Sequence, residues 1–475
     1  MKKYDVVIIG GGAGGLTVAS GASSLGAKVA LIEKERHLGG DCLHVGCVPS
    51  KALIQASKDI FTARTKAKEL GLDVSGSVDL GKVNERVQQS IRVIQKHDSD
   101  ERFTSLGVDL YKGTGTFTSA NTVRVDDQEI YGKRIVIAAG SRPLVPPIEG
   151  LQEAGFWTNE NLFEQRELPE KLVVIGGGSI GLELSQALSR LGSKVTIVEK
   201  GKKLLSTEDE SIQKAALSIL EKELTIQLNS EVKKVEITSN GRKRVTIQKG
   251  NEQYTEEYDQ ILLAVGRQPN SKSLNLNVAG VFQDERGFIP TNEKLQTNVP
   301  HIFAIGDING KFAFTHVAGE EGKVVVQNAI LGVPKKMSYD HIPWNIYTQP
   351  EIFHIGMTEQ ETRKLGIKFS VYEVPLTDVD RFISDQEADG LIKIITDQKG
   401  KILGGHAIGN GSGDWMQAVI FAMKKGSKIG DLSQMIYPYP NHAAAIQRTA
   451  DLYWRSKLFS GTLPKLTKKY ISWFR

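Results

Sequence analysis

Short apolar runs recur along this chain, and several end abruptly in glycine. Val6-Val7-Ile8-Ile9 runs into five glycines within six residues. A buried parallel strand entering a tight turn has this signature. Helix-forming residues Leu16 to Leu25 follow, and Lys28 to Ile32 reads as a second strand closing on Glu33. Leu172 to Ile175 and Val195 to Val198 repeat the arrangement, closing on Glu199. Near the other end, Leu391 to Thr396 alternates and Ile402 to Ile408 follows, as two antiparallel strands would. Strand–helix–strand units followed by paired strands predict an α/β chain with an α+β C-terminal domain.

The early units are an internal repeat. Gly10, Gly12 and Gly15 spell G-x-G-x-x-G directly after the first strand, and Gly176, Gly178 and Gly181 spell it again. An offset of 166 residues relates every glycine, Glu33 to Glu199, Leu25 to Leu191 and Lys28 to Lys194. One such motif is a weak signal. Two, each between strand and helix and each with an acid 18 residues after its last glycine, are strong. The first glycine permits the turn and the second lets backbone approach a pyrophosphate. The third lets helix pack on strand, and the helix N-terminus faces the phosphate charge. The acids accept hydrogen bonds from ribose hydroxyls, so the chain is expected to bind two dinucleotides. Glu199 opposes a 2′-phosphate and favours NADH, whereas Lys200, Lys202 and Lys203 offset it and leave NADPH open.

Composition removes several classes. A length of 475 residues allows two to four domains, and 40% apolar with 24% charged residues is globular. Sixty Lys and Arg against 55 Asp and Glu leave a net charge of +5, too slight to suggest nucleic acid. No apolar run reaches the roughly 18 residues of a membrane helix. Lys2 and Lys3 precede an apolar stretch, but Asp5 and the glycines break any signal-peptide core. The chain is therefore expected to start at Met1, in the cytoplasm.

Only two cysteines occur, Cys42 and Cys47. That excludes a secreted disulfide framework. A regular helix would separate their Cα atoms by about 7.5 Å along its axis. A disulfide accepts roughly 4.4–6.8 Å, so an irregular loop is expected at Cys42, supplied by Gly39, Gly40 and Gly46. Pro49 suits a first helical turn and places Cys47 at a helix N-terminus, where the dipole favours thiolate. A bridge closing so short a loop adds little stability. The pair reads as a redox device.

The segment Gly39-Gly40-Asp41-Cys42-Leu43-His44-Val45-Gly46-Cys47-Val48-Pro49-Ser50-Lys51, between two dinucleotide fingerprints, resembles the class I pyridine nucleotide–disulfide oxidoreductases. These flavoenzymes include dihydrolipoamide dehydrogenase, glutathione reductase and mercuric reductase. Ile135 to Ser141, with Ala138 where Thr is common, looks like the strand leaving the first FAD segment. Ile261 to Gly266, then Arg267 and Pro269, looks like the exit from the NAD domain; Ile302 to Asp307 looks like the second FAD fingerprint. Pro343 to Glu351 and Ile355 to Glu359 match the opening of an interface domain.

The resemblance implies FAD-binding segments at 1–148 and 269–340, an NAD(P)-binding domain at 149–268 and a dimerisation domain at 341–475. It implies FAD and NADH or NADPH as cofactors, a homodimer with shared active sites, and no resident metal. FAD would be held by Gly10, Gly12, Gly15, Glu33, Lys51, Gly115, Ala139, Gly140, Ser141, Asp307 and His316. Gly176, Gly178, Gly181, Glu183, Glu199 and Gly266 would hold NAD(P). Hydride would pass through the flavin to a Cys42–Cys47 disulfide, with Cys47 as the charge-transfer thiolate and Cys42 attacking the acceptor. Lys51 would pair with Glu183 beside the flavin.

The C-terminal segment departs from that pattern. Dihydrolipoamide dehydrogenases and glutathione reductases carry His, then Glu five residues on, as acid–base dyad; here those positions hold Tyr439 and Ala444. Mercuric reductases carry Tyr there, but also a C-terminal cysteine pair that this chain lacks. The expected function is a mercuric-reductase-like flavoprotein reducing a disulfide, thiol-reactive or soft-metal acceptor through Cys42, Cys47, Tyr439, Lys51 and Glu183. Dihydrolipoamide dehydrogenase is the alternative, with His442 as base; a redox sensor or membrane-associated scaffold is another. His44 reads either as a loop residue bonded to backbone or as a tuner of the thiols. Beyond Asp451 runs a basic, aromatic tail, Trp454 to Phe459 and Lys465 to Arg475. It reads as a helix packed on the dimer with a charged solvent face, or alternatively as a membrane-surface contact.

Overall fold

The computed structural model describes residues 1–459 and 463–474. Arg475 and the side chain of Lys465, both in the basic tail, lie outside the described residues. The strand Lys2–Ile9 runs parallel to Val29–Glu33 on one side and Gln128–Ile137 on the other. Val6, Val7 and Ile8 are wholly buried, because both faces of the sheet are covered. Hence the sequence shows a continuous apolar run there rather than alternation. The sheet order is Val108–Lys112, Val29–Glu33, Lys2–Ile9, Gln128–Ile137, Thr122–Val125, Gly115–Ser119. Ile302–Ala304, late in the chain, returns to pair with Gln128–Ile137.

The repeat is structural as well as sequential. A second parallel sheet orders Thr225–Gln227, Lys194–Val198, Lys171–Ile175 and Gln260–Leu263. In both sheets the first strand turns through glycines into a helix, Ala13–Ser24 in one and Ser179–Leu191 in the other. A three-stranded antiparallel sheet, Ser230–Ile237, Lys243–Lys249 and Glu252–Tyr258, accompanies the second.

The C-terminal part is a five-stranded antiparallel sheet, Pro343–Ile346, Glu351–Gly356, Ile402–Gly409, Leu391–Asp397 and Phe369–Pro375. Alternation in Leu391–Asp397 would put Lys393 in solvent, yet it is 2% exposed. Its ammonium lies 2.8 Å from both Asp209 and Glu359. An unpaired buried cation would cost several kcal/mol (roughly 3–5), so these two carboxylates are what permit its burial. The cluster ties this sheet to the segment following Lys194–Val198.

The helix Cys47–Glu69 positions the cysteines. Its Leu53 and Ala56 share one core cluster with Leu182, Leu184 and Leu188 of the second fingerprint helix and Ile346 and Ile352 of the C-terminal sheet. Three parts of the chain are thus locked around one element. Leu53→Ala is expected to cost about 2–5 kcal/mol, as buried Leu-to-Ala changes do. Denaturant melts would check it; a loss under about 0.5 kcal/mol would mean the helix is not anchored there.

Candidate active site

The two glycine turns divide their labour identically. Gly10 and Gly176 have φ of +109° and +107°, a conformation that L side chains rarely adopt. A Cβ on Gly15 would sit 1.9 Å from the Gly10 carbonyl, and one on Gly181 2.1 Å from the Gly176 carbonyl. These two permit helix and turn to close. The middle glycines differ. A Cβ on Gly12 would meet only Gly40 Cα at 3.8 Å, and one on Gly178 would meet nothing within 4 Å. They face open space, and a side chain there would project into it.

That space is one cavity of roughly 1510 Å³. Single-ligand pockets are typically about 300–1,000 Å³, so it is large enough for two dinucleotides. Gly10 and Gly12 with Glu33 line it, as do Gly177 and Gly178 with Glu199, and Cys42, Cys47, Lys51 and Glu183 line the same cavity. The open middle glycines, with Glu33 buried and Glu199 half-buried beside them, fit a dinucleotide at each cradle. Gly115, Ala139, Gly140, Ser141, Asp307 and His316 also line the cavity, whereas Gly15, Gly176, Gly181 and Gly266 do not. The first three of these shape the turns from behind; Gly266 takes φ +130° and its carbonyl accepts from the Leu144 amide.

Glu33 and Glu199 carry a duty the sequence did not reveal. Glu33 Oε2 accepts from the Gly11 amide at 2.7 Å and Oε1 from the Glu35 amide at 2.8 Å. Glu199 Oε2 accepts from the Gly177 amide at 2.7 Å and Oε1 from the Gly201 amide at 2.5 Å. Each carboxylate clamps its own glycine turn, keeping second lone pairs for further donors. Lys200 pairs with Glu231 at 3.1 Å, outside the cavity; Lys203 lines it.

Cys42 lies in a short helix, Gly40–His44, rather than the irregular loop expected, and Cys47 begins the helix Cys47–Glu69. The chain breaks between them, at Val45 and Gly46. A Cβ on Gly46 would lie 2.8 Å from the Asp41 carbonyl and 3.2 Å from Cys42 Cα. Only glycine therefore lets the two helices bring their sulfurs together, and the geometric need is met by a break between helices. The Cys42 thiol's hydrogen bond is the strongest influence favouring the Cys47 thiolate. The Thr315 hydroxyl, 3.4 Å away, and the charge of Lys51 add to it. They outweigh burial and pull the Cys47 pKa down to about 6. The same sulfur–sulfur hydrogen bond and burial push Cys42 well above the usual thiol range. One proton thus stays on Cys42 while Cys47 carries charge.

Lys51 follows Cys47 by four residues, on the same helical face. Its ammonium lies 2.8 Å from Glu183 Oε2 and 4.4 Å from the centre of the Tyr347 ring. Glu183 Oε1 accepts from the Tyr347 amide at 2.8 Å, fixing the carboxylate from two sides. Arg267 binds Ser141 through Nε at 2.6 Å, also contacts Asp41, and lies 3.4 Å from Asp307. It joins the cysteine segment to the turn at Ser141 and to Asp307 of the later fingerprint, and no local pattern marks it for that role. His316 Nε2 lies 2.9 Å from the Pro343 carbonyl, and burial lowers its pKa.

Other expected residues sit apart. Tyr439 is 79% exposed and outside the cavity of its own chain. His442 Nε2 lies 2.9 Å from Asp385, and its ring packs 4.6 Å from Phe382. His44 Nε2 lies 2.9 Å from the Leu38 carbonyl, the backbone-bonded arrangement. Unforeseen is a trio beside the cavity, with Glu208 and His354 buried and Trp344 half-buried. Trp344 Nε1 donates to Glu208 at 2.7 Å and its ring stacks on His354 at 3.6 Å. His354 faces Glu208 Oε2 and the Gly356 carbonyl, each at 3.0 Å.

Known proteins share this organisation. The pyridine nucleotide-disulphide oxidoreductase family matches residues 4–322, and its dimerisation domain matches residues 342–450. The chain is 34% identical over 456 residues to a mercuric reductase of Bacillus cereus, covering 94% of this chain and 70% of that one. It is 34% identical over 460 residues to the mitochondrial dihydrolipoyl dehydrogenase of Dictyostelium discoideum, covering 94% of each. A Cu(II) complex of the HOCl-induced flavoprotein disulfide reductase RclA from Escherichia coli superposes with a TM-score of 0.85 at 28% identity. That superposition covers 95% of this chain and all of the other. Family matches across both halves agree with the paired cradles and the cysteines that share their cavity. The chain belongs to the pyridine nucleotide-disulphide oxidoreductases, enzymes that use FAD and NAD(P)H.

Proposed function

We propose that this chain is a mercuric-reductase-like flavoprotein, an NAD(P)H oxidoreductase whose Cys42 and Cys47 reduce a disulfide, a thiol-reactive compound or a soft metal ion. One observation carries the reading: a single cavity is lined by both glycine cradles and by both cysteines. Bound FAD and nicotinamide supply the hydride and electron transfer that regenerate the dithiol. The chain's own residues do the rest. Cys47, at its helix N-terminus, holds the thiolate, and Cys42 keeps the proton as the acceptor-facing sulfur. Closing the Cys42 thiol and Cys47 thiolate into a disulfide releases two electrons and one proton. With one further proton from solvent that balances reduction of one acceptor disulfide to two thiols; for reduction of one divalent soft ion to metal, the released proton passes to solvent. Glu183 fixes the Lys51 ammonium, whose positive charge favours the Cys47 thiolate.

In this reading residues 1–148 and 269–340 form the FAD-binding part, 149–268 the NAD(P)-binding part, and 341–475 the interface part of a cytoplasmic homodimer. The dimerisation-domain match supports the dimer. The exposure of Tyr439 supports its lining the acceptor pocket of the other subunit. Anaerobic titration of the purified protein with NADH, followed in the visible, is expected to raise a long-wavelength thiolate–flavin band. Failure of flavin to copurify or to reconstitute would end the proposal.

NADH is the expected reductant, because Glu199 fills the ribose end of its cradle and Lys200 is paired elsewhere. Glu199→Gln should shift the NADH-to-NADPH ratio of kcat/KM toward NADPH by roughly tenfold. An unchanged ratio would remove Glu199 from nucleotide choice.

One observation favours a second reading, dihydrolipoamide dehydrogenase: His442 and Asp385 form a histidine–carboxylate pair three residues past Tyr439. Rapid turnover of dihydrolipoamide with NAD⁺, lost in His442→Gln, would establish it over the first.

A further inference from the structure

We propose that the C-terminal helix of this chain docks on anionic membrane surfaces, holding the enzyme against a bilayer without crossing it. The inference stands apart from the redox reading and rests first on charge. Residues 455–475 contain six Lys and Arg and no Asp or Glu, whereas the other 454 residues contain 54 Lys and Arg against 55 Asp and Glu. The entire positive excess of the chain is gathered in its last 21 residues. A polybasic segment on a nearly neutral body is attracted to negative surfaces.

The second observation is the shape of that segment. The helix Leu463–Ser472 is prolonged by a turn in which the Trp473 and Phe474 amides donate to the Tyr470 and Ile471 carbonyls, each at 3.1 Å. At 3.6 residues per turn, Leu466, Tyr470, Trp473 and Phe474 share one side, with Lys468 opposite and Lys469 at its edge. Those four apolar side chains are 62%, 59%, 73% and 73% exposed. Tyr470 and Phe474 meet edge to face at 4.9 Å, giving the row a continuous aromatic flank. An aromatic and aliphatic row with lysines opposite and at its edge is how an interfacial helix sits between headgroups and acyl chains. No helix among the described residues is long and apolar enough to span a bilayer, so this one would lie flat.

Other occupants fit less well. Two such tails related by a two-fold axis would set cation against cation. A nucleic acid would answer the charges and leave the apolar row in water.

The test uses the full-length, flavin-loaded protein. It is floated through sucrose with sealed phosphatidylcholine vesicles, with or without about one-third phosphatidylglycerol. The protein should rise with the anionic vesicles only. Raising salt to about 0.5 M should weaken binding by tenfold or more. Removing residues 460–475, or combining Lys468→Glu with Lys469→Glu, should each reduce flotation at least about tenfold. Trp473→Ser with Phe474→Ser should reduce it too, with NADH oxidation and sedimentation mass unchanged. Three results would overturn the proposal: full-length protein remaining below the anionic vesicles, equal flotation of the truncated protein, or a halved mass on truncation, which would make the helix a subunit contact. Loss of flavin reduction with flotation intact would sink the redox reading and leave this one standing.

Discussion

Cys47→Ser should lower disulfide-reductase turnover by at least about a thousandfold, leave reduction of the flavin by NADH in place, and erase the long-wavelength band. The influences favouring a Cys47 thiolate outweigh its burial and the charge of Glu183. Cys47 opens a 23-residue helix, accepts from Cys42, meets Thr315 at 3.4 Å and lies beside the Lys51 ammonium. Serine keeps the shape and removes the only atom at that position able to hold negative charge near neutral pH. The pH dependence has a definite sign. Because the Cys47 pKa is pulled down to about 6, the band should persist through neutral pH and fade as pH drops through about 6. The reduced fold gains stability from the same shift. That gain is complete above the ordinary thiol pKa near 9 and is lost as pH falls through about 6. Cys42→Ala removes the largest of the favourable contacts, so the midpoint of fading should move upward toward an ordinary thiol. An unmoved midpoint would show that the helix terminus and Lys51 suffice without Cys42. Full turnover in Cys47→Ser would place the chemistry elsewhere.

What could be read in advance was what local pattern encodes. The glycine spacing and its 166-residue echo located both cradles, because turn, backbone approach and helix packing are settled within six residues. Pro49 located the start of the cysteine helix for the same reason. Interactions closing over long separations were invisible. Arg267 meets Asp41 across 226 residues and Ser141 across 126, and nothing near any of them announces the others. Glu208 meets Trp344 across 136 residues and His354 across 146 in the same way. Alternation misled at Lys393, since burial there is decided by Asp209 and Glu359 rather than by the strand's own period. At Cys42 the disulfide geometry was correctly judged to forbid one helix. The chain met it by ending a helix and starting another at Gly46, a solution whose only local sign is that glycine.

The second fingerprint offers the sharpest separation of binding from folding, through two neighbouring glycines. A Cβ on Gly178 would find no atom within 4 Å, whereas one on Gly181 would overlap the Gly176 carbonyl at 2.1 Å. Gly178→Val therefore adds its isopropyl group to the open cradle and little strain to the fold. It should raise the KM for NADH by a hundredfold or more, with melting temperature, bound flavin and chemical reduction of the Cys42–Cys47 pair intact. Gly181→Val instead forces the helix Ser179–Leu191 off its strand. That helix supplies Leu182, Leu184 and Leu188 to the cluster that also holds Leu53. The cost should therefore appear as lost stability of several kcal/mol (roughly 3 or more), visible in melts before any assay. Equal melting of the two variants would contradict the division of labour among the glycines. An unchanged KM in a well-folded Gly178→Val would move the nicotinamide nucleotide out of this cradle, and with it the route by which electrons reach Cys42 and Cys47.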